Sequence, residues 1–125
     1  MDITQDFADA KFMITGYDQE CVMINNTPHH HSVLVSSDIL ISPWQVKNIS
    51  DLNESNLNEI FQHQPEIAII GTGKNLVLPE PKIIALFSQY GIGLETMNTS
   101  AACRTYGILI AEGRKTMAGI IFPDN

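Results

Sequence analysis

Basic residues are scarce in this chain of 125 residues. Seven Lys and Arg stand against 14 Asp and Glu, a formal net charge of −7. Nucleic-acid backbones are held by cations that displace condensed counterions, so this balance disfavours general nucleic-acid binding. Anionic membrane surfaces are disfavoured for the same reason. Cysteine is scarcer still: Cys21 and Cys103 lie far apart and in no metal-ligand spacing. Two cysteines build no disulfide framework, so a reducing compartment is the simpler expectation. Long apolar runs are lacking as well. The stretch from Met97 to Ala111 contains Arg104 and falls short of the about 20 residues a spanning helix needs. The start, MDITQDFADAKF, has neither the pattern of a secretory signal nor that of a transit peptide, and the cytoplasm is the expected location. The motifs HExxH, GxSxG, CxxC and SxxK are absent, so the common hydrolase, metalloprotease and redox signatures give no reaction.

What is present describes one α/β domain over residues 1–125. Apolar residues make up 44% and charged residues 17%, a globular balance. A chain of this size buries roughly two thirds of its unfolded surface, enough for a core without staples. The first half reads as strands. Phe12 to Tyr17 and Cys21 to Asn25 flank Asp18-Gln19 as a hairpin, and Asn25-Asn26-Thr27-Pro28 is a turn cluster. Ser32 to Ser36 and Ile39 to Ile41 are further strands. Leu57, Ile60 and Phe61 predict a helix over Asn53 to Gln62, ended by Pro65. Glu66 to Gly71 is continuously apolar at its centre, as in a strand covered on both faces. Pro81 opens a second helix with Ile83, Ile84 and Phe87 as its buried stripe, closed by Gly91. Ile92 to Glu95 is a strand. Asn98 and Thr99 cap a third helix, Ser100 to Ala111, apolar nearly all round and so expected between layers. Lys115 to Phe122 is the last strand. Strands alternating with helices from residue 66 onward predict parallel pairing with crossover helices.

Few residues suggest chemistry. Gly71-Thr72-Gly73-Lys74 follows a strand, where glycines let backbone amides face an anion and Lys74 adds charge. The same glycines also suit a tight turn or a close approach. Arg104 on an apolar helix needs a partner, because an unpaired buried charge is very costly. That partner is either a bound carboxylate or phosphate, or an internal Glu95 or Glu112. Cys103 near a helix start is either a reactive thiol or a small buried hydrophobe. His29 and His31 fall on one side of a strand, but nothing at ligand spacing completes a metal site, and a solvated loop is expected.

The segments Gly71-Thr72-Gly73, Glu95-Thr96-Met97-Asn98-Thr99-Ser100-Ala101-Ala102-Cys103-Arg104-Thr105-Tyr106 and Glu112-Gly113-Arg114 together resemble domain-of-unknown-function family 498. That family includes the mitochondrial complex I assembly factor 3. The chain departs from it at Gly107, where the family usually carries Asn. The resemblance covers about Ile14 to Phe122. It implies a three-layer α/β domain with a central mixed sheet of about five strands and flanking helices, to which the reading above adds an N-terminal β-hairpin layer. It also implies a non-catalytic interaction or assembly-factor-like role, with a protein partner or a second copy of the chain. The alternative is a small-molecule or anion-binding protein, or an enzyme, with a pocket lined by Gly71, Thr72, Gly73, Lys74, Thr99, Arg104 and Tyr106. Neither expectation calls for a cofactor, a metal, a nucleic acid or a membrane.

Overall fold

The computed structural model describes residues 10–122. Two sheets and three helices form its layers. β1 (Ile14–Tyr17), β2 (Val22–Ile24) and β3 (Thr27–His29) make a small antiparallel sheet. β4 (Val33–Ser36), β5 (Leu40–Ile41), β6 (Ile67–Gly71), β7 (Gly93–Met97) and β8 (Thr116–Ile120) make the central sheet, in the order β5-β4-β8-β6-β7. β6 runs parallel to both β7 and β8, while β4 is antiparallel to β5 and β8, so the sheet is mixed. The helices are α1 (Asn58–His63), α2 (Pro81–Gln89) and α3 (Thr99–Ala111).

The continuous apolar runs make sense once the sheet is covered on both faces. Successive side chains of a strand point to opposite sides. Leu34, Ala68, Ile70 and Met117 join one core with Trp44, Phe61, Ile83 and Phe87, on the face of α1 and α2. Val33, Val35, Ile69, Ala118 and Ile120 join the other with Val22, Ile24, Ala102, Cys103, Tyr106 and Ile110, under α3 and the small sheet. One strand thus feeds two cores.

Several expectations need correction. Asn25 and Asn26 both take positive φ, 50° and 69°, and form a two-residue hairpin turn. The strand resumes at once, so Thr27 and Pro28 belong to β3 rather than to the turn. α1 begins at Asn58, not near Asn53. Asn53 and Asn56 instead exchange hydrogen bonds, each side-chain oxygen accepting the other's backbone N–H at 2.8 and 2.9 Å. Such local side-chain bonds compete with helix. Ile84 is exposed, because Ile83 and Phe87 are the buried residues of α2, with Leu86 packed partly buried beside them. α3 is likewise not buried all round: Arg104 and Ile108 lie on an exposed face.

Two glycines are demanded by close approach. A Cβ on Gly119 would lie 2.7 Å from the Trp44 ring, whose Nε1 donates to the Asn56 carbonyl at 3.0 Å. A Cβ on Gly71 would lie 2.9 Å from Ala102 Cβ and 3.3 Å from Thr99 Cα, which belong to α3. Gly107 is the opposite case, a mid-helix glycine with nothing near its missing Cβ. Gly71→Ala is therefore expected to destabilise the fold by about 1–3 kcal/mol, the usual cost of overpacking. Gly107→Ala is expected to stabilise it by about 0.5–1 kcal/mol through helix propensity. Urea unfolding midpoints of the two variants check both signs.

Candidate functional site

The glycine loop leaves the carboxyl end of β6 beside the carboxyl end of β7 and the start of α3. In a sheet with parallel strands this is where ligands bind. α3 starts here because Asn98 is extended and its side chain accepts the Ala101 N–H at 2.8 Å, satisfying an amide of the first turn. An open cleft of about 1050 Å³ lies at this end. Thr72, Gly73, Lys74, Thr99 and Ser100 line it from the central sheet and α3, and Tyr17, Asp18 and Glu20 from the β1–β2 turn.

The loop's polar groups are largely spent on the loop itself. Gly73 N–H donates to Thr99 Oγ1 at 2.9 Å, and Thr99 N–H donates to the Gly73 carbonyl at 2.8 Å. Thr72 N–H donates to the Met97 carbonyl at 2.9 Å. The Thr72 hydroxyl donates to the Asn75 carbonyl at 2.7 Å and accepts the Val77 N–H at 3.1 Å. Gly73 has a φ of 100°, which a side chain would strain. An anion cradle needs amides that point outward, whereas the Thr72 and Gly73 amides are committed inward.

Arg104 and Tyr106 part company. Arg104 is exposed and donates from Nη1 to Ser100 Oγ at 2.7 Å and to Tyr17 Oη at 3.1 Å. It is joined to neither Glu95 nor Glu112, because the face of α3 that carries it is open to solvent. It reaches the cleft only through Tyr17 and Ser100, which line it. Tyr106 is 0% exposed and donates its hydroxyl to the Phe12 carbonyl at 3.0 Å. Burial pushes its phenol pKa up. It anchors the segment before β1 and lines no part of the cleft.

The cleft's second wall, the β1–β2 turn, carries no signal along the chain that links it to the glycine loop. Asp18 Oδ1 accepts the N–H groups of Glu20 and Cys21 at 2.7 and 2.9 Å, which sets the β1–β2 turn. These bonds, the Glu20 one first, hold its carboxyl below the ordinary value. The cleft thus carries fixed negative charge opposite Lys74. The Asp18-Gln19 turn signal was visible, but its distance from residue 71 along the chain concealed the pairing.

Cys103 is buried, and burial raises its thiol pKa to about 12. It is a core side chain of α3. Among the described residues, no three His, Cys, Asp or Glu gather as a metal site, and no helix is long and apolar enough to cross a membrane.

A mixed five-stranded sheet with helices on one face and a helix plus a small antiparallel sheet on the other defines the class of fold. The chain belongs to the DUF498/DUF598 family of proteins of unknown function, whose model matches residues 14–121. It is 31% identical over 93 residues to the 13 kDa major membrane protein of Francisella tularensis, a match covering 74% of this chain and 76% of that one. It is 33% identical over 85 residues to the NADH dehydrogenase [ubiquinone] 1 alpha subcomplex assembly factor 3 of Xenopus tropicalis. That match covers 66% of this chain and 46% of the relative, so the shared part is under half of the larger protein. Among solved structures, a Bordetella parapertussis protein superposes with a TM-score of 0.84 at 30% identity, covering 94% of this chain and 99% of that one.

The buried thiol gives a pH dependence with a definite sign. Unfolded, Cys103 ionises near 9; folded, only near 12. Between these values the native state holds the extra proton, so stability falls as pH rises through that window. Cys103→Ala lacks the thiol and is expected to lose this part of the decline. Unfolding free energies measured between about pH 8 and pH 11 check it; equal slopes in both proteins contradict it.

Proposed function

We propose that this chain is a non-catalytic interaction domain with an assembly-factor-like role. One observation carries the reading. Leu76, Val77 and Leu78 are consecutive apolar residues left 53%, 45% and 69% exposed. They follow directly on a glycine loop whose polar groups are largely satisfied internally. Leaving such side chains in water forgoes about 25 cal/mol per Å² of apolar area, which a partner recovers. Val77 and Tyr17 also line the cleft, whose rim carries Asp18 and Glu20. The fitting partner is a protein segment with apolar side chains flanked by Lys or Arg. The relatives named as assembly factors support a protein partner over a substrate.

A second reading, a small-molecule or anion-binding protein or enzyme, has one observation in its favour. An open cleft is lined by Thr72, Gly73, Lys74 and Thr99, four of the seven residues expected to form a pocket. Its acidic rim and committed amides weigh against an anion.

One experiment with two arms separates the readings. Wild type and the Leu76→Lys/Leu78→Lys variant are used to capture proteins from native cells. The expected result is a reproducible partner that the variant loses while unfolding at the same temperature. Equal capture by both, or nothing reproducible, contradicts the interaction reading. In the other arm, wild type is melted with inorganic phosphate and with nucleotides. A ligand at a hundred times its Kd adds about 2.7 kcal/mol. A saturable rise of that kind, lost in Lys74→Ala, replaces the first reading with the second.

A further inference from the structure

The three consecutive histidines lie at the seam between the two sheets. His29 ends β3 and pairs with Val22 in the small sheet. His31 follows on the connection to β4. Ser42 follows β5, which is fixed to the central sheet by the Leu34–Ile41 pair. Two further bonds hold this seam. Trp44 N–H donates to the Ser32 carbonyl at 2.7 Å, and Phe122 N–H donates to Ser32 Oγ at 2.9 Å.

These elements bring two imidazoles onto one oxygen. His29 Nδ1 lies 2.7 Å from Ser42 Oγ, and His31 Nε2 lies 2.8 Å from the same atom. The hydroxyl has one proton and can donate to only one of the two nitrogens. The other ring must then be the tautomer that donates to the oxygen. A cation removes this restriction, since both nitrogens and the oxygen can then offer lone pairs to one point.

We propose that His29, His31 and Ser42 form a binding site for one divalent transition-metal ion of the imidazole-preferring kind, such as zinc, nickel or copper, that clamps the small sheet to the central one. The ring centroids are 6.0 Å apart and the planes near perpendicular. Two imidazoles on one tetrahedral ion, each bonded at about 2.0–2.1 Å, place their centroids roughly 5.2 Å apart. The present rings therefore have to close by under about 1 Å to share an ion. No carboxylate joins the group among the described residues, so magnesium and calcium, which take oxygen ligands, are disfavoured. Water completes the coordination. His31 and Ser42 are exposed, which gives the ion access, and the net charge of −7 attracts cations.

The test uses the protein without an affinity tag. Titration calorimetry with zinc is expected to give one ion per chain, and zinc is expected to raise the unfolding temperature. His29→Ala and His31→Ala are each expected to weaken binding by more than about tenfold, since even the outer partners of a metal act on that scale. His30→Ala is the control and is expected to bind as wild type, because His30 lines the cleft instead. Melting each variant without zinc establishes that it folds. Absence of saturable binding at one ion per chain overturns the proposal. So does a His29→Ala/His31→Ala double variant that binds like wild type, equal dependence on His30, or equal binding of magnesium.

Discussion

Helix α3 lies against the central sheet because β6 ends in a residue without a side chain. Any Cβ on Gly71 would press on Ala102 Cβ and on the backbone at Thr99. Neither neighbour is the far end of a flexible chain, so the conflict could be relieved only by lifting the helix. That helix supplies Ala102, Cys103, Tyr106 and Ile110 to the core beneath it. Tyr106 in turn holds the Phe12 carbonyl, fixing the chain just before the small sheet. One close approach therefore sets the spacing of the whole second layer.

The same contact determines what the glycine loop can do. With α3 held this close, Thr99 and Gly73 exchange hydrogen bonds, and the Thr72 amide turns to β7. The segment is a latch between β6, β7 and α3. Its resemblance to a phosphate-binding loop stops at composition. The apolar residues that follow, Leu76 to Leu78, have no such internal use and remain on the surface. The proposed interaction role accordingly rests on the surface of this end of the molecule rather than on its backbone amides. The family places the chain among proteins of unknown function, with assembly factors among its relatives.

Much of the central sheet was legible because its residues carry their own signals. Ile67 to Ile70 announced a strand covered on both faces, Pro81 a helix start, and Asn98 a cap. Gly91 and Gly113 sit at helix ends with φ of 70° and 76°, conformations that favour glycine. Side-chain direction was harder. Tyr106 and Arg104 are two positions apart on one helix, so they face different ways. The stripe Ala102, Cys103, Tyr106, Ile110 marks the buried side and leaves Arg104 outside. The apolar run concealed that division because Ile108, although exposed, is apolar too. Pairings between distant segments were not legible at all. Asp18 sharing a cleft with the residue-71 loop, or Ser42 meeting His29 and His31, depends on how the sheets stack.

The glycine loop is a closed structural latch between β6, β7 and α3. Amide hydrogen exchange of Gly73 in the native protein is the decisive measurement. The Gly73 N–H is bonded to Thr99 Oγ1 at 2.9 Å. It should therefore exchange slowly, through openings nearly as costly as global unfolding, and added phosphate should leave that rate unchanged. Fast exchange that slows only when phosphate is present would contradict the latch and return the loop to ligand binding.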